Sequence, residues 1–134
     1  MSRKSNGYRP NTHIKSFPRR CEIWRVVDRD KNHNGSDDER IFDNSLQGGT
    51  RYCIIVSNDT GNKHAPVVEV VYTTTAKKHD IPTHFQVNST PKPSTVLCEQ
   101  ITPVAKKDLI SRHGVLTLKE KIQLDKCLKI SLGL

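Results

Sequence analysis

From Cys21 onward the apolar positions fall in short blocks set apart by polar turns. CEIWRVVD (21–28) is β-branched and aromatic, RYCIIVSN (51–58) is nearly continuous apolar, and PVVEVVYTTT (66–75) repeats the theme after the turn GNKHAP. THFQV (83–87) and STVLCEQI (94–101) follow, separated by the turn-rich NSTPKP. Blocks this short, with no helix-length pattern between them, predict a mainly β chain whose antiparallel sheet curls or closes. Helices come last. Ala105 to Ser111 reads as a short one, and Thr117 opens a longer one, because Thr117 and Glu120 have the spacing of a capping box. Leu124, Leu128 and Leu132 then recur at every fourth position, a stripe that can pack on the sheet, with Cys127 beside it.

Length and charge refine this α+β picture. A chain of 134 residues suits one compact core. The net charge of +8 is unevenly spread: Arg3, Lys4, Arg9, Lys15, Arg19 and Arg20 contribute +6 with no acid among residues 1–20, leaving +2 for the rest. Residues 1–19 therefore read as a basic arm, too poor in apolar surface to fold alone, and 20–134 as the folded domain. Such an arm offers salt-dependent, sequence-blind attraction to a polyanion, or serves only as a solubilising tail. Cys21, Cys53, Cys98 and Cys127 lie far apart with no zinc spacing, so free thiols and no metal are expected. No apolar run reaches the roughly 20 residues of a membrane span, and no signal-peptide pattern opens the chain, which predicts a soluble, cytoplasmic protein.

Two stretches carry candidate chemistry. DKNHNGSDDERI (30–41) imitates an EF-hand loop, with Asp30, Asn32, Asn34 and Gly35 at positions 1, 3, 5 and 6. Position 12 is Ile41 in place of the closing glutamate, so a solvated acidic loop is the better reading. GGTRYCIIVSND (48–59) sets Arg51 between a double glycine and a buried strand. Gly48 and Gly49 permit close approach of another backbone or a ligand, and the strand from Tyr52 to Val56 anchors the arginine from one side. A guanidinium so held presents a planar fork of donors suited to phosphate. The same position also suits an exposed strand-end arginine paired with a loop carboxylate.

A family resemblance weighs on that choice. SLQGGTR (45–51) leading into IIVSND (54–59), GN (61–62), PVVEVVYTT (66–74), PTH (82–84), VLCEQI (96–101), KKDL (106–109) and the closing helix occur in the order and near the spacing of MazF/PemK-type toxins of bacterial toxin–antitoxin pairs. The likeness runs from Arg20 to Leu134. It implies an SH3-like barrel of the CcdB/MazF/PemK type, a homodimer, and a metal-independent, cofactor-free endoribonuclease that cuts single-stranded RNA at short sequences and so inhibits translation. Attack of the RNA 2′-hydroxyl would give a 2′,3′-cyclic phosphate and a 5′-hydroxyl.

The residues so implied are specific. Arg51 and Thr74 match the catalytic arginine and the hydroxyl at the end of the third strand, with Thr73 and Thr75 flanking the latter. Glu99 and Gln100 match the acidic–Gln pair of the EQI motif, Glu99 as the local candidate for proton transfer beside His33, His64 and His84. Gln47, with Gly48 and Gly49, matches the loop that approaches RNA, and Thr73 is expected to help hold substrate. An antitoxin with an acidic, disordered segment is the expected protein partner. Tyr52, Leu46 and Thr102 depart from the family's usual proline, glutamate and arginine, and the loop 28–44 is longer than the common form. The fold also serves toxins that poison gyrase through protein contacts, and an RNA-binding protein without catalysis would look similar.

Overall fold

The computed structural model describes residues 16–28 and 49–134. The basic arm up to residue 15, the EF-hand-like loop with His33, and Gln47 and Gly48 lie outside the described residues. Among the described residues the elements are, in chain order, β1 (Glu22–Val27), β2 (Thr50–Ile55), α1 (Asp59–His64), β3 (Val67–Thr74), β4 (His84–Val87), β5 (Ser94–Ala105), β6 (Leu109–Val115) and α2 (Leu118–Leu132), with a 3-10 turn at Lys106–Asp108. The strands form one sheet in the order β4-β5-β3-β2-β1-β6, every neighbouring pair antiparallel.

The period-2 alternation of the strands divides the core between the two faces of the sheet. On the face covered by α2, Ile23, Ile54, Val71, Phe85, Val96 and Cys98 pack with Leu116, Leu124, Cys127 and Leu128. On the opposite face, Val26, Cys53, Ile55, Val68, Val70, Tyr72 and Val104 form a second cluster, with Trp24 and Leu109 packed against it. Strands with both faces apolar read as continuous runs, which is why IIV and VVEVV lack clean alternation.

One irregularity shapes the site. β5 pairs with β3 as Val71↔Ile101 and then as Thr73↔Val96, so five residues of β5 advance against two of β3. The extra residues bulge and bend the strand. The odd insertion also reverses which parity faces α2: Val96 and Cys98 do so before the bulge, and Val104 turns to the other face after it. Glu99 and Gln100 sit in this bulge, where side chains are re-aimed away from the regular ladder.

Local chemistry fixes the remaining elements. Thr117 caps α2 by accepting from the Glu120 amide, Glu120 reaches back to the Thr117 amide, and Gly133 closes the helix in the left-handed region at φ 73°. The Glu120 carboxylate also accepts from the Asn88 amide and the Ser89 hydroxyl, tying the β4–β5 turn to the helix. Burial pushes its acidity toward the neutral form, yet the hydrogen bonds from Ser89, Thr117 and Asn88 outweigh this and hold its pKa below the usual carboxylate range. The segment SNDTGN acquires a structural reason as well. Asn58 caps α1, buried Asn62 donates to the Ser57 carbonyl at 2.9 Å, Ser57 Oγ accepts from the Glu69 amide, and Asp59 accepts from the Arg20 amide at 2.7 Å.

Three expectations are corrected. Ala105 to Ser111 is not a helix: only Lys106–Asp108 turns, and Leu109 begins β6, because the open edge of β1 takes Leu109, Ser111 and Arg112 into register with Val26, Arg25 and Trp24. The GNKHAP turn contains most of α1, a helix of 6 residues too short to show a periodic pattern. The apolar stripe of α2 ends at Leu128, since Leu132 is 57% exposed on the last turn.

Candidate active site

The face away from α2 changes character where β2 and β3 end. Arg51 is partly exposed, its guanidinium carbon 4.1 Å from the centre of the Tyr72 ring and its Nε 3.8 Å from Oδ2 of buried Asp28. The latter distance is an ion-pair contact, longer than a hydrogen bond. The stack on Tyr72 fixes the plane of the guanidinium. Arg51 thus has a carboxylate neighbour, and its guanidinium lies over the Tyr72 ring. Asp28 and Gly49 bring the two ends of the intervening loop together, the Asp28 amide donating to the Gly49 carbonyl at 2.6 Å.

Register places Thr74 beside this arginine. β2 and β3 pair as Cys53↔Tyr72, and the Thr73 hydroxyl donates to the Tyr52 carbonyl at 3.3 Å, so the strands stay adjacent beyond that pair. By strand alternation Arg51 lies on the face of Cys53 and Thr74 on the face of Tyr72, the pair at which the ladder ends. The Thr74 oxygen accepts from the Ala76 amide at 3.1 Å, which spends a lone pair and leaves the hydroxyl proton to be donated outward. Thr73 points to the other face, is 6% exposed and has committed its hydroxyl to Tyr52. Thr75 lies past the end of the strand.

The same stripe continues onto two residues that sequence reasoning did not single out. Thr74 pairs with Thr95 of β5, and Thr95 pairs with Gln86 of β4, whose Nε2 donates to Thr95 Oγ1 at 2.7 Å. A groove of about 360 Å³ lies over this row, with Lys77 and Lys78 on its wall. Nothing in the β-branched text of HFQV or STV marks them; only strand pairing brings them into line with Arg51.

Glu99 is placed differently. Its carboxylate accepts from Thr83 Oγ1 at 3.0 Å and lies 2.9 Å from His84 Nε2, while His84 Nδ1 lies 2.9 Å from the His79 carbonyl. Burial raises its pKa, but the bonds from His84 and Thr83 prevail and hold it below the ordinary carboxylate range. Among the described residues no hydrogen bond or ion pair joins Glu99 to Arg51 or Thr74, and Gln100 is exposed beside it. His64 ends α1. The four cysteines are free and buried, with burial pushing the Cys53 and Cys98 thiols up to about 12, so they are poor nucleophiles.

These features can be set against known proteins. Residues 19–132 match the family described as PemK-like, MazF-like toxin of type II toxin-antitoxin system. The chain belongs to this family. An endoribonuclease MazF of Staphylococcus epidermidis is 41% identical over 95 residues, which make up 67% of this chain and 79% of that protein. Among solved structures, a mycobacterial endoribonuclease in complex with its cognate antitoxin superposes with a TM-score of 0.68 at 24% identity, covering 87% of this chain and 96% of the other. MazF of Deinococcus radiodurans gives the same TM-score of 0.68 at 12% identity, covering 89% and 99%. At such identities the likeness speaks for the fold: the six-stranded antiparallel sheet with its C-terminal helix is the architecture of the PemK-like, MazF-like toxins.

Proposed function

We propose that this PemK-like, MazF-like toxin is an endoribonuclease that cuts single-stranded RNA at short sequences, without a required metal, and thereby stops translation in the cytoplasm. The observation that supports the reading is that Arg51, stacked on Tyr72, and Thr74 lie on the same face of neighbouring strands β2 and β3, just beyond their Cys53↔Tyr72 pair. The staphylococcal relative, an endoribonuclease, supports it.

In this reading the 2′-hydroxyl attacks the adjacent phosphorus, and the 5′-oxygen of the next nucleotide leaves as its bond to phosphorus breaks, taking up a proton from solvent. The products are a 2′,3′-cyclic phosphate and a 5′-hydroxyl. Negative charge gathers on the phosphorane oxygens, where Arg51 and Thr74 donate hydrogen bonds. Preorganised donors of this kind are worth about 3 kcal/mol each. A guanidinium stays protonated throughout, so it stabilises charge and does not accept the 2′-proton. Glu99, held below the ordinary carboxylate range by its bonds to His84 and Thr83, is the acceptor that the family motif offers for that proton, and it must come within hydrogen-bond reach of the bound 2′-hydroxyl to take it. Gln47, Gly48, Gly49 and Gln100 complete the binding surface.

The toxin acts as a homodimer, with Leu118, Ile122 and Leu132 on the outer side of α2 as apolar surface available for contact. An antitoxin with an acidic segment silences it by occupying the basic face that carries Arg51, Lys77 and Lys78. The test is direct: purified protein is incubated with a long RNA in EDTA and the cut ends are mapped. Cuts leaving cyclic phosphate and 5′-hydroxyl ends are expected. Intact RNA, or Arg51→Ala cutting as fast as the parent, defeats the proposal.

A further inference from the structure

The groove beside Thr74 has a second use for its polar row. We infer that it is the subsite of the nucleotide next to the scissile phosphate, in which Gln86 reads a base edge and Lys77 with Lys78 holds the neighbouring phosphate. The inference rests on the nuclease reading for its substrate class, single-stranded RNA.

Three features support it. Gln86 is exposed and yet oriented, because its amide nitrogen is tied to Thr95 across the β4–β5 pair at 2.7 Å. Among the described residues this is the amide's sole hydrogen bond, so its carbonyl oxygen and second N–H remain for a ligand. An amide whose plane is already fixed loses less side-chain freedom on binding than an ordinary surface glutamine. It also carries the paired donor and acceptor that match the edges of unstacked bases.

The second feature is space: about 360 Å³ falls within the roughly 300–1,000 Å³ of small-ligand sites. The third is charge. Lys77 and Lys78 follow Thr74 by three and four residues and line the same groove, so a backbone whose scissile phosphate meets Thr74 runs directly onto two ammonium groups. Thr95, 4% exposed, stands between the hydroxyl and the amide and keeps them in one row.

The experiment uses oligoribonucleotides that differ only in the base on either side of the cut, and its readout is the ratio of cleavage rates between them. A ratio is blind to variants that are slower on every substrate. Gln86→Ala is expected to flatten the preference at one of the two positions about tenfold, the size of one bidentate base contact. Gln86→Glu should move that preference toward a base offering an amino donor, and Thr95→Val should flatten it less than Gln86→Ala. An unchanged ratio in Gln86→Ala and Gln86→Glu overturns base reading.

The phosphate contact is read separately, from binding of an all-2′-deoxy oligonucleotide that lacks the attacking hydroxyl. Each lost phosphate contact lowers the slope of log affinity against log salt by about 0.7 for a single strand, so the Lys77→Ala/Lys78→Ala double variant should lower it by about 0.7 to 1.4. An unchanged slope overturns that part. A parent protein that cuts no RNA defeats the nuclease reading, whereas the deoxy-oligonucleotide slope still reports on the groove.

Discussion

The two faces of the sheet are built from the same strands and spend their residues in opposite ways. Under α2, Ile23, Ile54, Val71, Val96 and Leu124 are fully buried, and the helix that covers them is pinned by a complete capping box and by the Glu120 bonds to Asn88 and Ser89. On the other face an apolar cluster of strand residues gives way, two positions on from Cys53 and Tyr72, to Arg51 and Thr74, and the row continues across the sheet to Thr95 and Gln86. Tyr72 marks the junction, with its ring inside the cluster and the guanidinium stacked on it. A packed core and an exposed polar row are thus separated by one residue of strand parity, and Thr73 and Thr74 lie on either side of that division.

Changes on the two faces should therefore be independent. The largest expected effect is on stability: Leu124→Ala, at a side chain with 0% exposure, should cost about 2–5 kcal/mol. Denaturant midpoints measure this, and the RNA cut sites of the fraction still folded should be those of the parent. A shifted cleavage pattern would show the faces to be coupled.

Next comes Arg51→Ala, expected to slow RNA cleavage by about 10²–10³-fold while leaving the thermal midpoint within a few degrees. Thr74→Val sharpens the division, because it should slow cleavage by a comparable factor, whereas Thr73→Val should cost only about 0.5–1.5 kcal/mol of stability through its lost bond to Tyr52. Equal losses of cleavage in Thr73→Val and Thr74→Val would place the wrong hydroxyl in the site.

The smallest effect belongs to Glu120. Its folded pKa lies below the unfolded value, so its contribution is present above the ordinary glutamate range near 4.3 and is lost as pH falls through the depressed folded value. Glu120→Gln should lower stability by about 1 kcal/mol at neutral pH, the size of a cap interaction, and should reduce the acid-side decline below the ordinary glutamate range. Unfolding curves across that range that keep the parent's pH dependence would remove Glu120 from this role.

Much of the fold was legible in the chain because its signals are local. Strand cores such as CIIV and VVEVV are β-branched runs that stay strands in any context that buries them, and Thr117 with Glu120 announced α2 through a motif four residues long. The errors also have local causes. KKDLISRHG has no strand signature strong enough to outweigh its helix-compatible start, and it became β6 because β1 had an unfilled edge. Leu132 fits the periodic stripe, but the sheet does not extend far enough to cover it.

The candidate site divides in the same way. Residue types, the double glycine before Arg51 and the ordered motifs were enough to name the family, because those features are written in consecutive letters. Which of three neighbouring threonines shares the face of Tyr72, why Glu99 turns to His84, and that Gln86 and Thr95 extend the row depended on pairing between distant segments. Parity and a bulge are set by hydrogen bonds between strands, and a linear string holds no record of which residue will sit across from which.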